Sequence, residues 1–282
     1  MRLEPGVVAL VLVAALLHAS WNAVVKSDSD RLVSMGLVML AGAVLGLAVV
    51  PFVPPLETVA WPYLATSVLV HNFYYFFLLK AYRWGELSHV YPIARGLGPL
   101  LVALLSGRVV GEHLAFHETA GVLLVSFGIA SLAFGHGLPR GHEWRPVVYA
   151  VLTGVTISAY TIADGLGARH AGSAFSYIAW LNLVEGPWVF LFAVVVRRGS
   201  IVLYLRRSWW RGLAGGVVAT IGYGIAIWAL SLGAMAHVAA LRETSVIFAA
   251  AMGTLLLGER FGRRRIIAAS LVATGLVLMN LA

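Results

Sequence analysis

The chain has 282 residues, 60% of them hydrophobic and 11% charged, with a formal net charge of +8. A soluble domain draws roughly a quarter of its residues from Asp, Glu, Lys and Arg, so composition excludes an ordinary water-soluble fold and points to a bilayer. The Lys and Arg sit in short clusters between apolar runs, the placement of loops at a membrane surface and not of a nucleic-acid interface, while the absence of cysteine excludes disulfides, thiol catalysis and Cys-ligated metal.

A spanning helix needs about 20 mostly apolar residues. Ten such segments follow in chain order: 5–25, 33–53, 61–82, 87–106, 115–134, 146–166, 174–196, 211–231, 235–257 and 265–281. The first reads as a retained helix and not a signal peptide, because Arg2 and Glu4 cancel ahead of it and no small-residue cleavage site follows. On it, His18, Asn22 and Lys26 recur at four-residue steps and share one face. Lys26 is placed to snorkel to the interface. His18 and Asn22 lie deeper, toward either a cavity or a partner helix. The third segment carries His71 and Tyr75 four apart, with Tyr74 and Tyr82 on the same side. The fourth carries Arg95, one turn after Pro92 and beside Gly96.

Glu112, after the fourth segment, and Glu259, after the ninth, read as turn or helix-start residues whose charge suits the next helix's N-terminus. The sixth segment presents Thr156, Tyr160 and Asp164 along one stripe, with Asp164 near the helix end. In the seventh, Trp180, Asn182 and Glu185 precede Gly186-Pro187 and read as a kink with a polar anchor. Tyr223 and Trp228 in the eighth form either an aromatic wall against a substrate or ordinary interfacial packing. The ninth holds Arg242 with Glu243 beside it. His89 and His237 begin the fourth and ninth segments. Together with His18 and His71 they are open to proton coupling or to plain helix-end hydrogen bonding. The two longest polar breaks, 135–145 and 197–211, are expected to be loops.

Two five-segment units repeat. Ala81, Gly85, His89 and Val90 recur as Ala229, Gly233, His237 and Val238 at an offset of 148. After a one-residue slip, Arg95, Gly111, Glu112 and Gly128 recur as Arg242, Gly258, Glu259 and Gly275 at 147. An odd number of spans per unit turns the second copy upside down. The expected fold is therefore all-α and integral to the membrane, with ten transmembrane helices in two inverted five-helix repeats, 1–134 and 146–282, joined by a linker at 135–145. Inverted repeats are a transporter arrangement with the binding site near the midplane. The loops after odd-numbered segments hold 15 Lys and Arg and the other face 3, which places both termini outside the cytoplasm.

Ionisable groups inside spans cost a few kcal/mol and normally face protein or a water-filled cavity. Repeat symmetry brings Arg95 and Arg242 toward one central space. Two planar guanidinium forks there would bind a carboxylate or phosphonate. The alternative is a structural ion pair from either arginine to Glu243, Glu185 or Asp164.

With these motifs the chain resembles the EamA-type carriers of the drug/metabolite transporter superfamily. The resemblance rests on Gly111-Glu112 and Leu257-Gly258-Glu259 closing the fourth and ninth segments. Each pair precedes a last helix with a late glycine, Gly128 or Gly275. Pro99 in the fourth segment and the stretch from His18-Ala19-Ser20 to Lys26 add to it. The chain departs from the pattern at His18, usually tryptophan, at Val246, where a second proline would stand, and at both arginines. The resemblance implies a multi-pass inner-membrane secondary transporter of a small polar or anionic metabolite working by alternating access. Amino acids and organic acids lead, with export ahead of uptake. The His-Ala-Ser-Trp-Asn stretch resembles a narrower set associated with phosphonate use, which gives a phosphonate-related permease as the alternative. The candidate substrate site is Arg95, Arg242, Glu243, His18, Asn22, His71, Tyr75, Tyr160, Asp164, Tyr223 and Trp228. Membrane lipid, a small-molecule substrate and a coupling proton are the expected partners. A homodimer is left open.

A membrane enzyme subunit and a non-transporting scaffold or sensor compete with that reading. Against an enzyme, His113 and His117 lie four apart with no glutamate between them, and neither a Gly-x-Ser-x-Gly elbow nor a P-loop occurs. No catalytic residue, metal or cofactor is expected. A scaffold has no need of arginines inside the bundle.

Overall fold

The computed structural model of the chain describes residues 3–28, 30–84, 87–133, 144–198, 200–257 and 262–279. Among these the structure has eleven α-helices and no strand: α1 Pro5–Ser27, α2 Arg31–Val49, α3 Trp61–Trp84, α4 Leu87–Val109, α5 Phe116–Ser131, α6 Trp144–Arg169, α7 Ala174–Arg197, α8 Ser200–Leu232, α9 Met235–Arg242, α10 Thr244–Leu257 and α11 Arg263–Met279. Six of them are long and apolar enough to cross a membrane. Local chemistry sets several ends. Pro5 opens α1, where its missing N–H costs nothing. The Asp30 carboxylate caps α2 by accepting from the N–H groups of Leu32 at 3.1 Å and Val33 at 3.3 Å. Glu118 reaches back to the Ala115 N–H at 2.6 Å and fixes the start of α5. The turns after α4 and α6 need left-handed backbone, which Gly111 and Gly172 supply at φ of 73° and 72°.

Two expectations need correction. The segment expected as one helix over 235–257 is two, α9 and α10, separated at Glu243. The expected loop at 197–211 is mostly helix, because α8 begins at Ser200 and runs for 33 residues, about 50 Å at 1.5 Å per residue. Its spanning part is Ser208–Leu232, so the first two turns project beyond the apolar layer. Trp209 and Trp210 stand exposed at that boundary, where aromatic rings settle at the headgroup level. Of the linker, 135–143 lies outside the described residues, and Trp144 and Arg145 already belong to α6.

The distribution of side chains is that of a membrane protein. Large apolar residues such as Leu47, Leu69, Phe73, Leu104, Val195 and Val277 face outward, while His71, Arg95, Asp164, Glu185 and Glu243 are buried. A soluble fold would reverse this arrangement, and lipid permits it.

The principal packed pairs are α2 with α7, α3 with α6, α5 with α11, α1 with α8, and α4 with α6. Glycines bring backbones together at several of them, as at α2–α7 and α5–α11. Gly36 meets Ala193 and Phe190 whereas Gly46 meets Ala179 and Leu183, so α2 and α7 run antiparallel. Gly121 lies against Gly275 and Met279, and Gly128 against Leu271 and Ala268, so α5 and α11 do the same. A Cβ on Gly121 would stand 2.5 Å from the Gly275 carbonyl oxygen, backbone that cannot give way. Gly121→Val is expected to cost about 1–3 kcal/mol or more through overpacking and to lower the thermal midpoint. Gly6→Ala, where a Cβ meets nothing within 4 Å, should leave it unchanged. Equal midpoints for both variants would contradict the close α5–α11 contact.

Candidate functional site

The site begins at the interruption between α9 and α10. Glu243 closes α9 with a short N–H bond to the Ala240 carbonyl at 3.1 Å, and its own carbonyl accepts from Val246 at 3.0 Å. The Thr244 hydroxyl donates to the Leu241 carbonyl at 2.7 Å. The break therefore keeps its backbone groups bonded, as hydrocarbon surroundings require. Across from it, α4 carries Pro92 and Pro99 inside the helix. Pro99 lacks the N–H that would close on the Arg95 carbonyl four residues earlier.

Arg95 and Glu243 form a buried ion pair, Nε to Oε2 at 2.8 Å, with both side chains 4% exposed. Arg95 also donates through Nη2 to the Ser245 hydroxyl at 3.1 Å. One arginine of the predicted pair thus pins the helix break to α4. The other, Arg242, lies with its guanidinium carbon 5.1 Å from the centre of the Tyr223 ring, a cation–π contact. Arg242 is half-buried.

From Tyr223 a polar cluster extends across α3, α6, α7 and α8. Its hydroxyl donates to Asp164, whose second oxygen accepts from Tyr177 at 3.0 Å. The same hydroxyl lies 3.4 Å from Nε2 of His71. His71 stacks on Tyr160 at 4.0 Å between ring centres, and its Nδ1 sits 3.0 Å from the Ser67 carbonyl and 4.0 Å from a Glu185 oxygen. Tyr75 donates to the other Glu185 oxygen at 2.9 Å.

The structure thus brings Arg95, Arg242, Glu243, His71, Tyr75, Tyr160, Asp164 and Tyr223 into one connected region. His18 stands at its edge, ring-on-edge with Trp21 at 5.3 Å and within the electrostatic reach of both arginines. Asn22 donates to the His18 carbonyl at 2.8 Å, a bond within its own helix. Trp228 lies apart and packs on the apolar cluster of Leu3, Val7, Val11 and Met235. His237 is also apart, 3.3 Å from Glu118 on α5. The His89 side chain lies outside the described residues.

Glu185, expected as a kink anchor or as an ion-pair partner of an arginine, instead joins the cluster through Tyr75, and Ser245 and Tyr177 join without having been expected. Glu185 carried a usable signal, since an ionisable group in a span is itself a flag. Ser245, one turn beyond Arg242, carried none.

Glu112 does not serve the helix that follows it. Its Oε2 accepts from the Met235 N–H at 2.9 Å, capping the distant α9, and its Oε1 pairs with Arg169 at 2.8 Å. Arg169 also donates to the carbonyls of Leu230 at 3.1 Å and Gly233 at 2.6 Å. These two residues stitch the ends of α4, α6 and α8 to the start of α9. Beside them opens a cavity of about 470 Å³ lined by Glu112, His113, Arg169 and Gly233. Glu259, the repeat counterpart, lies outside the described residues. Arg169→Met should cost about 1–3 kcal/mol by stranding its partners and speed hydrogen–deuterium exchange at amides 230–238. Unchanged exchange there would show that the contacts do not hold the helix ends.

Among the described residues no group of three or more His, Asp and Glu is arranged to hold a metal ion.

No curated protein matches the chain. Twenty-eight chains of solved structures do. One, a crystal structure of a protein, superposes with a TM-score of 0.78 at 17% identity, over 99% of this chain and 97% of that one, which shows a shared fold. The model of the EamA-like transporter family matches residues 144–281, the half that contains Asp164, Glu185, Tyr223 and Arg242. Residues 144–281 of this multi-pass membrane protein belong to the EamA-like transporter family of the drug/metabolite transporter superfamily, a family of transporters and not of enzymes.

Proposed function

We propose that the chain is a secondary carrier of a small polar metabolite with an anionic head, working by alternating access between two inverted five-helix halves, 1–134 and 146–282. The observation that carries the reading is the helix break at Arg242–Glu243, set among buried ionisable groups from both halves. Broken helices at mid-bundle are how transporters present backbone termini and charge to a solute. The positive end of α10 and the Arg242 fork both favour an anionic group there.

Helix packing supports the inverted arrangement. Under exchange of the halves, α2 corresponds to α7 and α5 to α11, and each such pair runs antiparallel. The α3–α6 contact corresponds to α8–α1, and α4–α6 to the contact of α1 with α9 and α10. Amino acids and organic acids are the leading substrates, with export ahead of uptake. The arginine-rich face is cytoplasmic by the 15-to-3 distribution, in an inner membrane. Arg95, held by Glu243, positions the break, while Arg242 is the residue that meets substrate.

The test is a thermal-shift screen of the purified chain against amino acids, organic acids and phosphonates, because a ligand bound only by the folded state must stabilise it. Stabilising compounds are then assayed for flux into proteoliposomes. Stabilisation and flux by at least one anionic-headed compound are expected. Failure of every compound to do either would overturn the reading.

A further inference from the structure

The short helix α9 stands between two interruptions. Ahead of it the chain turns at Gly233 and Ala234 after α8, and behind it lies the break at Glu243. Its eight residues make a rod of about 12 Å. The last of them is Arg242, against the Tyr223 ring. The first is Met235, whose N–H donates to Glu112 at 2.9 Å on the arginine-poor face. One rod thus reaches from the proposed anion site to one end of the bundle.

Polar contacts sort the surroundings of that end into two groups. Glu112 goes with α9, because it caps Met235. Two residues on, His237 Nε2 lies 3.3 Å from Glu118 on α5 and 3.3 Å from the Met279 carbonyl on α11. Arg169 goes with the end of α8, where it donates to the Leu230 and Gly233 carbonyls at 3.1 and 2.6 Å. Between the two groups runs the ion pair of Arg169 with Glu112 at 2.8 Å. Its side chains are 24% and 16% exposed, and the cavity of about 470 Å³ lies against them. Parted partners would meet water there, so separation costs little, as for exposed ion pairs in general. The Arg95–Glu243 pair, 4% exposed on both sides, has no such outlet and stays closed.

We propose that α9 is a lever joining the anion site at Arg242 to a gate at Glu112–Arg169. Solute on Arg242 tilts α9, draws Glu112 off Arg169 and opens the arginine-poor face. This rests on the carrier reading above and adds the regulation of its site. A charge-assisted bond pair to an anion is stronger than the cation–π contact that Arg242 now makes, so solute can re-aim the end of α9. The apolar contact beneath the ion pair parts with it. Met235 is 0% exposed, and its side chain lies over Gly165 of α6, one turn before Arg169. Met279, 2% exposed, is seated instead against Gly121 in the α5–α11 contact, on the same side of the gate as α9 and Glu112.

The chain therefore carries its own reporters. Hydrogen peroxide oxidises an accessible methionine to its sulfoxide and spares a buried one, and peptide mass spectrometry reads each position. Wild-type protein in detergent is treated with and without a compound that stabilised it in the thermal-shift screen. The compound should speed oxidation of Met235 at least about fivefold, the lower end of typical coupling between sites, and leave Met279 unchanged. Glu112→Gln removes the charge of the pair and keeps an oxygen for the Met235 N–H. With no compound present it should speed Met235 about three- to fivefold, the worth of an exposed ion pair, again without moving Met279. Arg169→Gln breaks the pair from the other side and serves should Glu112→Gln fail to fold.

A Met235 rate that stays level or falls when compound binds overturns the lever. An unchanged rate in the variant that breaks the pair overturns the gate. Met235 and Met279 rising together would mark general loosening and overturn both. Failure of the underlying carrier reading looks different: no compound stabilises wild type or crosses the membrane, while Glu112→Gln still reports on the ion pair.

Discussion

Arg95→Ala is expected to destabilise the folded protein by about 3–5 kcal/mol, the cost of leaving a buried carboxylate without its partner. Glu243 is 4% exposed at the side chain and has Arg95 Nε at 2.8 Å. Removing the guanidinium also strands the Ser245 hydroxyl and loosens the polar tie from α4 to the α9–α10 break. The effect should appear as a lowered thermal midpoint in detergent, read by intrinsic fluorescence of the chain's 9 tryptophans. Replacing both partners together, Arg95→Met with Glu243→Met, should recover much of the loss, because a buried ion pair exchanged for apolar groups of similar volume is often close to neutral. An Arg95→Ala protein as stable as wild type would show that the pair does not organise the break.

Arg242→Ala should behave in the opposite way. This arginine is half-buried and its contact is the Tyr223 face, so truncation breaks no ion pair among the described residues and the thermal midpoint should stay near wild type. Affinity for the anionic-headed ligand should fall by about 3 kcal/mol, roughly a hundredfold, the worth of a charge-assisted bond pair. Arg242→Lys keeps the charge without the fork and should recover only part of that. The two arginines are related by the repeat, yet they are expected to separate into a stability defect and a binding defect. If both variants lost stability alone, the site would be structural throughout.

Much of this was legible in the sequence. Ionisable residues in apolar runs mark themselves, and His71, Arg95, Asp164 and Arg242 were found that way. The repeat offsets linked Arg95 to Arg242 but not their unequal roles, because Glu243 is available to one arginine only through the packing of α4 on α9. The α9–α10 break was invisible. The run Met235 to Leu257 contains no proline, its single glycine, Gly253, lies well beyond the break, and its alanines and leucines favour a continuous helix. The interruption is a tertiary effect.

The start of α8 was misread for a related reason. Arg206, Arg207 and Arg211 look like a loop to a hydropathy argument, whereas a helix emerging from the bilayer carries such residues readily. Glu112 was assigned to its sequence neighbour and acts on α9, 123 positions away along the chain. In each case local pattern identified a chemically important residue, and only the packed bundle supplied its partner.

The most direct measurement is solute counterflow. Proteoliposomes are loaded with unlabelled ligand from the thermal-shift screen and diluted into a trace of the labelled compound. An alternating-access carrier should draw label inward transiently above its equilibrium level, and Arg242→Ala should abolish the overshoot. Label that merely equilibrates, or does not enter through a folded and ligand-binding wild-type protein, would contradict the carrier account.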